Sequence, residues 1–105
     1  MDEEGAPDLT DLCAELAGEL DEVTGTSDGD AAVYVRGGVV FARVSGSALE
    51  VRLPADIAEA AARTTDTFPM DESGWIRFAP TTAERHVTDR AEAWFVTAWR
   101  HAESG

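Results

Sequence analysis

The spacing of the apolar residues changes from a helical period to a strand period within the first third of the chain. Between Leu9 and Val23 they recur every three or four positions, which predicts an amphipathic helix capped by Asp8. From residue 31 onward they follow a strand period in three short runs, 31–36, 39–44 and 48–53. Because both patterns can be buried together when a helix packs on a sheet, this change predicts an α+β fold.

The segments between these runs predict an antiparallel meander. Gly37–Gly38 separates the first two runs, and both positions tolerate the positive φ that a two-residue hairpin needs. Ser45–Ser47 is expected to form a second tight turn. Residues 24–30, rich in Gly, Ser and Asp, are predicted to be a loop.

The second half of the chain predicts a short helix, two strands and a long helix. Pro54 suits the first turn of a helix, and Pro69 confines a weak strand over 65–70 to a sheet edge. A stronger strand follows over 75–78, and the last helix runs from a Thr82 cap to about His101.

The expected architecture is a two-layer α+β sandwich in the order α-β-β-β-α-β-β-α. Its antiparallel sheet is covered by the terminal helices. An acidic tail occupies residues 1–7, and a single domain occupies residues 8–102. Residues expected in the core are Leu12, Leu16, Val33, Leu49, Val51, Phe78, Val87 and Phe95.

The charge of the chain is strongly one-sided. Lysine, asparagine and glutamine do not occur, and 8 arginines face 21 carboxylates for a net charge of −13. Such a surface repels itself at low salt, and the repulsion fades as the Debye length falls to about 3 Å near 1 M salt. The composition predicts a halophilic source. An acidic protein from a GC-rich genome, which also replaces lysine with arginine, is the alternative.

Composition also predicts the compartment and excludes some partners. Nucleic acid binding depends on Lys and Arg at phosphates, so no nucleic acid partner is expected. Cys13 is the only cysteine, which excludes an intrachain disulfide and fits a reducing interior. The acidic first residues do not resemble a signal peptide, and no apolar run approaches the ~20 residues of a membrane helix. We expect a cytoplasmic protein with no membrane contact.

Two histidines and an acidic turn are weak candidates for metal ligands. Asp28-Gly29-Asp30 begins like a calcium loop, but Ala32 and Val39 stand where such a loop needs further oxygen ligands. His86 and His101 would be separated by about 22 Å along one helix, too far to share an ion. No metal and no cofactor are expected.

One cysteine and one serine-containing turn could supply a nucleophile, but both are better explained by structural roles. Cys13 lies on the apolar stripe of the first helix, and a reactive thiolate needs an electropositive setting. The Ser45-Gly46-Ser47 turn lacks the flanking glycines of a nucleophile elbow. We therefore expect the protein not to be an enzyme.

Five arginine and aromatic residues on the predicted strands form the candidate binding surface. They are Tyr34, Arg36, Arg43, Trp75 and Arg77, and strand alternation allows several of them to share one face. Guanidinium groups beside aromatic rings could receive a carboxylate, a phosphate or an acidic segment. The alternative is that Trp75 is a core residue and that the arginines pair with neighbouring acids.

Trp99 is a candidate for a different role, as an anchor of a protein interface. It falls off the apolar stripe that contains Trp94, so it could anchor an interface, with Arg100 and His101 meeting Asp11 or Glu15 of a second copy in a homodimer. Partial burial against a loop is the alternative.

Three segments carry a resemblance to known families. The run from Val33 to Val44, the stretch Leu49–Leu53 with Pro54, and Ser73-Gly74-Trp75-Ile76-Arg77-Phe78 resemble the MmcQ/YjbR-like proteins. The N-terminal TfoX domain resembles the chain in its order of elements, and the luciferase-domain family resembles it in the Ser73-Gly74-Trp75 strand. The resemblance spans residues 8–102 and implies a secretion-chaperone-like fold without agreed catalytic residues. DNA binding, suggested for YjbR-like proteins, is not expected at this charge.

These observations lead to two functional hypotheses. The first is a non-enzymatic protein-interaction module that pairs with itself or with another protein. The second is a domain that binds a small anionic ligand at the arginine and aromatic face of the sheet.

Overall fold

The α+β fold class is confirmed. A computed structural model describes residues 9–64, 66–70, 74–81 and 85–104, with side chains described to residue 102. Within these ranges the order is α-β-β-β-β-α-β-β-α. The elements are α1 (Leu9–Glu19), β1 (Val23–Asp28), β2 (Ala31–Arg36), β3 (Val39–Ser45), β4 (Ala48–Arg52), α2 (Ala55–Ala61), β5 (Thr67–Pro69), β6 (Trp75–Phe78) and α3 (Arg85–Ser104). The predicted tail over 1–7 and the caps at Asp8 and Thr82 lie outside the described residues.

The first strand was not predicted. The sequence indicated a helix to Val23 and a loop over 24–30, but α1 ends at Glu19 and β1 begins at Val23. Glu22 adopts a positive φ of 66°, which turns the chain between the two elements. β1 forms an edge of the sheet, pairs only with β2 among the described strands, and is exposed apart from Val23. Since an exposed edge strand needs no apolar alternation, its sequence looks like a loop.

All six strands belong to one antiparallel sheet in the order β1-β2-β3-β4-β6-β5. The β2–β3 connection is the predicted two-residue hairpin, in which Gly37 and Gly38 have φ values of 58° and 85°. Positive φ at both turn positions matches the right-handed twist of the paired strands. The adjacent hairpins keep consecutive strands β1 to β4 next to one another.

The helices α1 and α3 pack together on one side of this sheet. α1 contacts β1 and β3, while α3 contacts β2, β3 and β4. The core between these layers includes Leu16, Leu49, Val51, Phe78, Val87 and Phe95, as predicted. Leu12 and Val33 are only partly buried, because Leu12 lies at the margin of the α1 stripe and Val33 lies on the opposite side of β2 from the core.

A β-bulge and an aromatic cluster shape the centre of the core. The β2–β3 register shifts between Tyr34 and Val35, so Phe41 is an extra residue on β3 and is buried together with Ala42. The Phe95 ring meets the Phe41 ring edge-on at 5.3 Å and the Tyr34 ring at 5.4 Å. The bulge therefore gives α3 an aromatic contact that strict alternation would not provide.

Candidate functional site

The strand register places Tyr34 and Arg36 on the helix-covered face of the sheet. Both alternate with Val33 and Val35 along β2, and both are buried. Tyr34 contacts Phe95 of α3, and Arg36 contacts Trp99 of the same helix. These two members of the predicted set therefore belong to the interior of the sandwich and do not form part of an exposed binding face.

The other three members of the predicted set share the opposite face. Arg43 stands across from Glu50 on the neighbouring strand, and Glu50 stands across from Arg77. Trp75 stands across from Arg52 on the same side. We call the side of the sheet opposite α1 and α3 the open face. Its described residues include Val33, Val35, Val40, Arg43, Glu50, Arg52, Phe68, Trp75 and Arg77, of which Trp75 is buried.

At the centre of the open face, Arg43 and Arg77 share the Glu50 carboxylate. The distance from Arg43 Nε to Glu50 Oε1 is 3.4 Å, and that from Arg77 Nη1 to Glu50 Oε2 is 3.5 Å. These distances exceed the roughly 2.7–2.9 Å of a strong charge-assisted hydrogen bond. One carboxylate thus lies between two guanidinium groups, and the cluster carries a net positive charge.

The Arg43 side chain is held in place by an aromatic contact. Its Cζ atom lies 4.8 Å from the centroid of the Trp75 ring, within the range of a cation–π interaction. Its Nε atom is buried and makes no hydrogen bond in the described part of the chain, because the ion pair with Glu50 lacks hydrogen-bond geometry. Arg43 is therefore oriented by Trp75 and only weakly satisfied by Glu50.

Apolar side chains surround this charged centre. Arg43, Glu50 and Arg77 form a row across three neighbouring strands. Val33 follows Arg43 at one end of this row, and Phe68 follows Arg77 at the other end. Phe68 is 53% exposed and Val40, on the same face, is 38% exposed. When one face of a sheet is solvated, the residues along each strand normally alternate, with apolar side chains on the core face and polar side chains on the solvated face. The open face thus combines a positive centre with exposed apolar flanks.

A shallow pocket of about 150 Å³ lies beside these three charged residues, on the side of the β3–β4 turn. Arg43, Glu50, Arg77 and Ser45 provide its polar lining, and the small side chains of the adjoining β2 and β4 positions leave the space open. The pocket is wide enough for one small anion. The pattern Leu49–Leu53 already indicated that Glu50 points away from the core, but its position between two arginines depends on the register of three strands.

Arg36 belongs to a second cluster, on the helix-covered side. Its guanidinium Cζ lies 4.0 Å from the Trp99 ring centroid, and its Nη1 donates a hydrogen bond of 3.0 Å to the Trp99 backbone carbonyl. Glu22 lies 3.4 Å from Arg36 Nε. The cluster connects β2, the C-terminal part of α3 and the turn that precedes β1.

Trp99 is partly buried and does not project freely from α3, and its role as an interface anchor stays a prediction. Trp99 packs against the core, and its indole Nε1 donates a hydrogen bond of 2.9 Å to the backbone carbonyl of Asp21. The α1–β1 turn therefore covers one edge of the ring, which was the alternative interpretation. No sequence period reveals this contact, since Asp21 and Trp99 belong to opposite ends of the chain.

Burial raises the pKa of two titratable groups in the core, those of Cys13 and Tyr34. It raises the pKa of the Cys13 thiol from 9.0 to about 12, so the thiol stays protonated at neutral pH. Burial also raises the pKa of Tyr34, with a smaller electrostatic contribution from Cys13. Both residues lie in the core cluster.

The remaining polar motifs form turns or lie far apart. Gly29 has a positive φ of 65° in the turn between β1 and β2, and Gly46 has one of 59° in the turn between β3 and β4. His86 and His101 lie near opposite ends of α3. In the described ranges no three His, Cys, Asp or Glu side chains cluster closely enough to hold a metal ion.

No family model matches the chain, and the searches of curated proteins and of solved structures give no significant match. The resemblance to the MmcQ/YjbR-like group therefore stays a prediction. Among the helices of the described ranges, none combines the length and hydropathy needed to cross a bilayer.

Proposed function

We propose that the protein is a non-enzymatic protein-interaction module and that its binding surface is the open face of the sheet. Its partner is another protein or a second copy of this chain. We further propose a cytoplasmic, halophilic setting and a relationship to the YjbR-like group, and we expect no nucleic acid partner. The charge of −13 supports both the halophilic setting and the absence of nucleic acid binding.

The exposed apolar side chains of the open face carry this proposal. Phe68 and Val40 are among the three large apolar residues that are exposed in the described part of the chain. Val33 and Val35 lie on the same face and are half-buried. An apolar surface bordered by charged groups is typical of a protein contact site, because binding removes the apolar area from water.

Site-specific photo-crosslinking tests this proposal. A benzoylphenylalanine at position 40 should form discrete adducts in cells, either with a second copy or with one partner protein. The same group at position 93, exposed on α3, serves as the control. Adducts from position 40 alone support the proposal. Equal adducts from both positions, or none from either, would contradict it.

The pocket beside Arg43 favours a second candidate function, the binding of a small anion. Two guanidinium groups and the Ser45 hydroxyl line a space of about 150 Å³. Isothermal titration with phosphate and with glutarate tests this candidate, with Arg77→Ala as the variant that should lose binding. Absence of heat with both anions at millimolar concentration would rule it out.

A further inference from the structure

The central strands of the open face carry more arginines than acidic residues, although the protein as a whole is acidic. The strands β3, β4 and β6 contain Arg43, Arg52 and Arg77, but their single acidic residue is Glu50. The whole chain has 8 basic and 21 acidic residues, so the rest of its surface repels negatively charged partners. The open face is the place where an acidic partner would meet the least repulsion.

We infer that the open face binds an extended acidic segment of a partner protein, whose carboxylates contact Arg43 and Arg77. This inference rests on the proposed function and names the chemistry of the partner. Each arginine uses one nitrogen toward Glu50, at distances of 3.4 Å and 3.5 Å. A guanidinium has five N–H donors, so each can form shorter bonds with an incoming carboxylate.

The length of the row favours a segment over a small anion. Val33, Arg43, Glu50, Arg77 and Phe68 lie side by side on β2, β3, β4, β6 and β5. With neighbouring strands about 4.8 Å apart, this row is about 19 Å long. An extended chain rises about 3.3 Å per residue, so roughly six residues span it.

An extended segment also matches the chemical pattern of the row. Side chains at alternate positions of an extended chain lie on the same side, about 6.6 Å apart. Two carboxylates at such positions can each reach one of the two guanidinium groups, which lie two strands apart. Apolar residues of the segment can then contact Val33 and Phe68 at the ends of the row.

Glu50 sets the strength of this site. Its carboxylate occupies the space between the two arginines and competes with a carboxylate from the partner. Replacing Glu50 with glutamine keeps the size of the side chain and removes the competing charge. Binding of an acidic segment should therefore tighten in Glu50→Gln and weaken when either arginine is removed.

Fluorescence anisotropy with a labelled, end-blocked peptide of alternating glutamate and valine tests the inference on the full-length protein. We expect Arg77→Ala to weaken binding by about tenfold, since it removes a charge-assisted contact. Arg43→Lys, which keeps the charge but loses the planar fork, should weaken it by several-fold. Glu50→Gln should tighten it, and affinity should fall as KCl is added.

Arg63→Ala is the matched control, because Arg63 pairs with Glu59 on the exposed side of α2 at 3.8 Å. It should leave the affinity unchanged, and a peptide of alternating glutamine and valine should not bind. Circular dichroism of each variant confirms that the fold is retained.

Several results would overturn the inference. One is equal binding of the glutamate and glutamine peptides, and another is unchanged affinity in Arg77→Ala. Displacement of the peptide by equimolar glutarate or phosphate would assign the site to a small anion. If the peptide does not bind but crosslinked adducts still form from position 40, the open face is retained as the interaction surface and the proposal of an acidic partner is contradicted. Failure of both experiments would remove both proposals.

Discussion

The Arg36 guanidinium lies over the Trp99 indole, with its Cζ atom 4.0 Å from the ring centroid and its Nη1 atom bonded to the Trp99 carbonyl. The side chain of Arg36 is 8% exposed, which is unusual for a charged residue. The ring and the carbonyl together compensate for the loss of water around the guanidinium. This pair joins β2 to the end of α3.

A double-mutant cycle should reveal coupling between these two residues. With Arg36→Met and Trp99→Leu, urea unfolding should give a coupling free energy of about 1–2 kcal/mol, because the contact is largely shielded from water. The cycle of Arg90→Met and Trp94→Leu is the control, since Arg90 Cζ lies 6.0 Å from the Trp94 ring centroid. Equal coupling in the two cycles would show that the Arg36–Trp99 stacking is not specially stabilising.

Truncation of Phe95 should be among the most damaging changes in the core. Phe95 is fully buried and contacts the rings of Tyr34 and Phe41. Phe95→Ala should lower the free energy of unfolding by about 3–5 kcal/mol in chemical denaturation. Phe68→Ala is the control, because Phe68 is mostly exposed and its loss should cost under about 1 kcal/mol. A similar cost for both variants would contradict the assigned core.

Two glycines should respond to alanine with opposite signs. Gly74 has φ of 87°, and a Cβ added there would lie 3.0 Å from the Leu53 carbonyl oxygen. Gly74→Ala should therefore destabilise the protein by about 1–3 kcal/mol. Gly18 lies in α1 with no atom near its added Cβ, so Gly18→Ala should stabilise by up to about 1 kcal/mol. Thermal melts check the signs, and a stabilising Gly74→Ala would refute the geometry of this turn.

Stability should rise with salt. With a net charge of −13, repulsion among carboxylates is greatest in dilute buffer and is screened in molar KCl. We expect a higher Tm in 1 M KCl than in low salt, measured by circular dichroism. Asp89→Asn with Glu92→Gln, on the exposed side of α3, should raise Tm mainly at low salt. A Tm that stays constant or falls with KCl would leave genome composition as the explanation of the acidity.

Stability should fall in alkaline solution because of Cys13. Its thiol has a pKa of 9.0 when solvated and about 12 in the fold, so only the unfolded state loses the proton between these values. The contribution of Cys13 to the free energy of unfolding is constant well below pH 9.0, and between 9.0 and about 12 it decreases with a slope that approaches about 1.4 kcal/mol per pH unit.

Urea unfolding at increasing pH measures this slope, and Cys13→Ala should reduce it. Tyr34 contributes in the same direction, because burial raises its pKa as well. The native thiol should also resist alkylation at neutral pH. Rapid alkylation of the folded protein, or an unchanged slope in Cys13→Ala, would contradict the burial of this group.

The elements with clear periodic patterns were predictable, because alternation and turn residues depend only on neighbouring positions in the sequence. The strands over 31–36 and 75–78 have the predicted bounds, since alternation and flanking turn residues mark both ends. The Gly37–Gly38 hairpin follows from the positive φ that glycine tolerates. β1 was not predictable, because its stability comes from backbone bonds to β2 and its side chains are mostly exposed.

The sequence by itself determined that Leu49 and Val51 face the core and that Glu50 points away from it. It also determined the acidic charge and the absence of an intrachain disulfide. It did not determine which side of β2 is buried, because Tyr34 and Arg36 take the side that was expected for Val33. Only the tertiary structure decided that Arg43 and Arg77 share Glu50, while Arg36 is buried against Trp99. Alternation acts within a strand, but the register between strands and the packing of α3 depend on contacts between distant segments. The composition of the open face is therefore a property of the folded sheet.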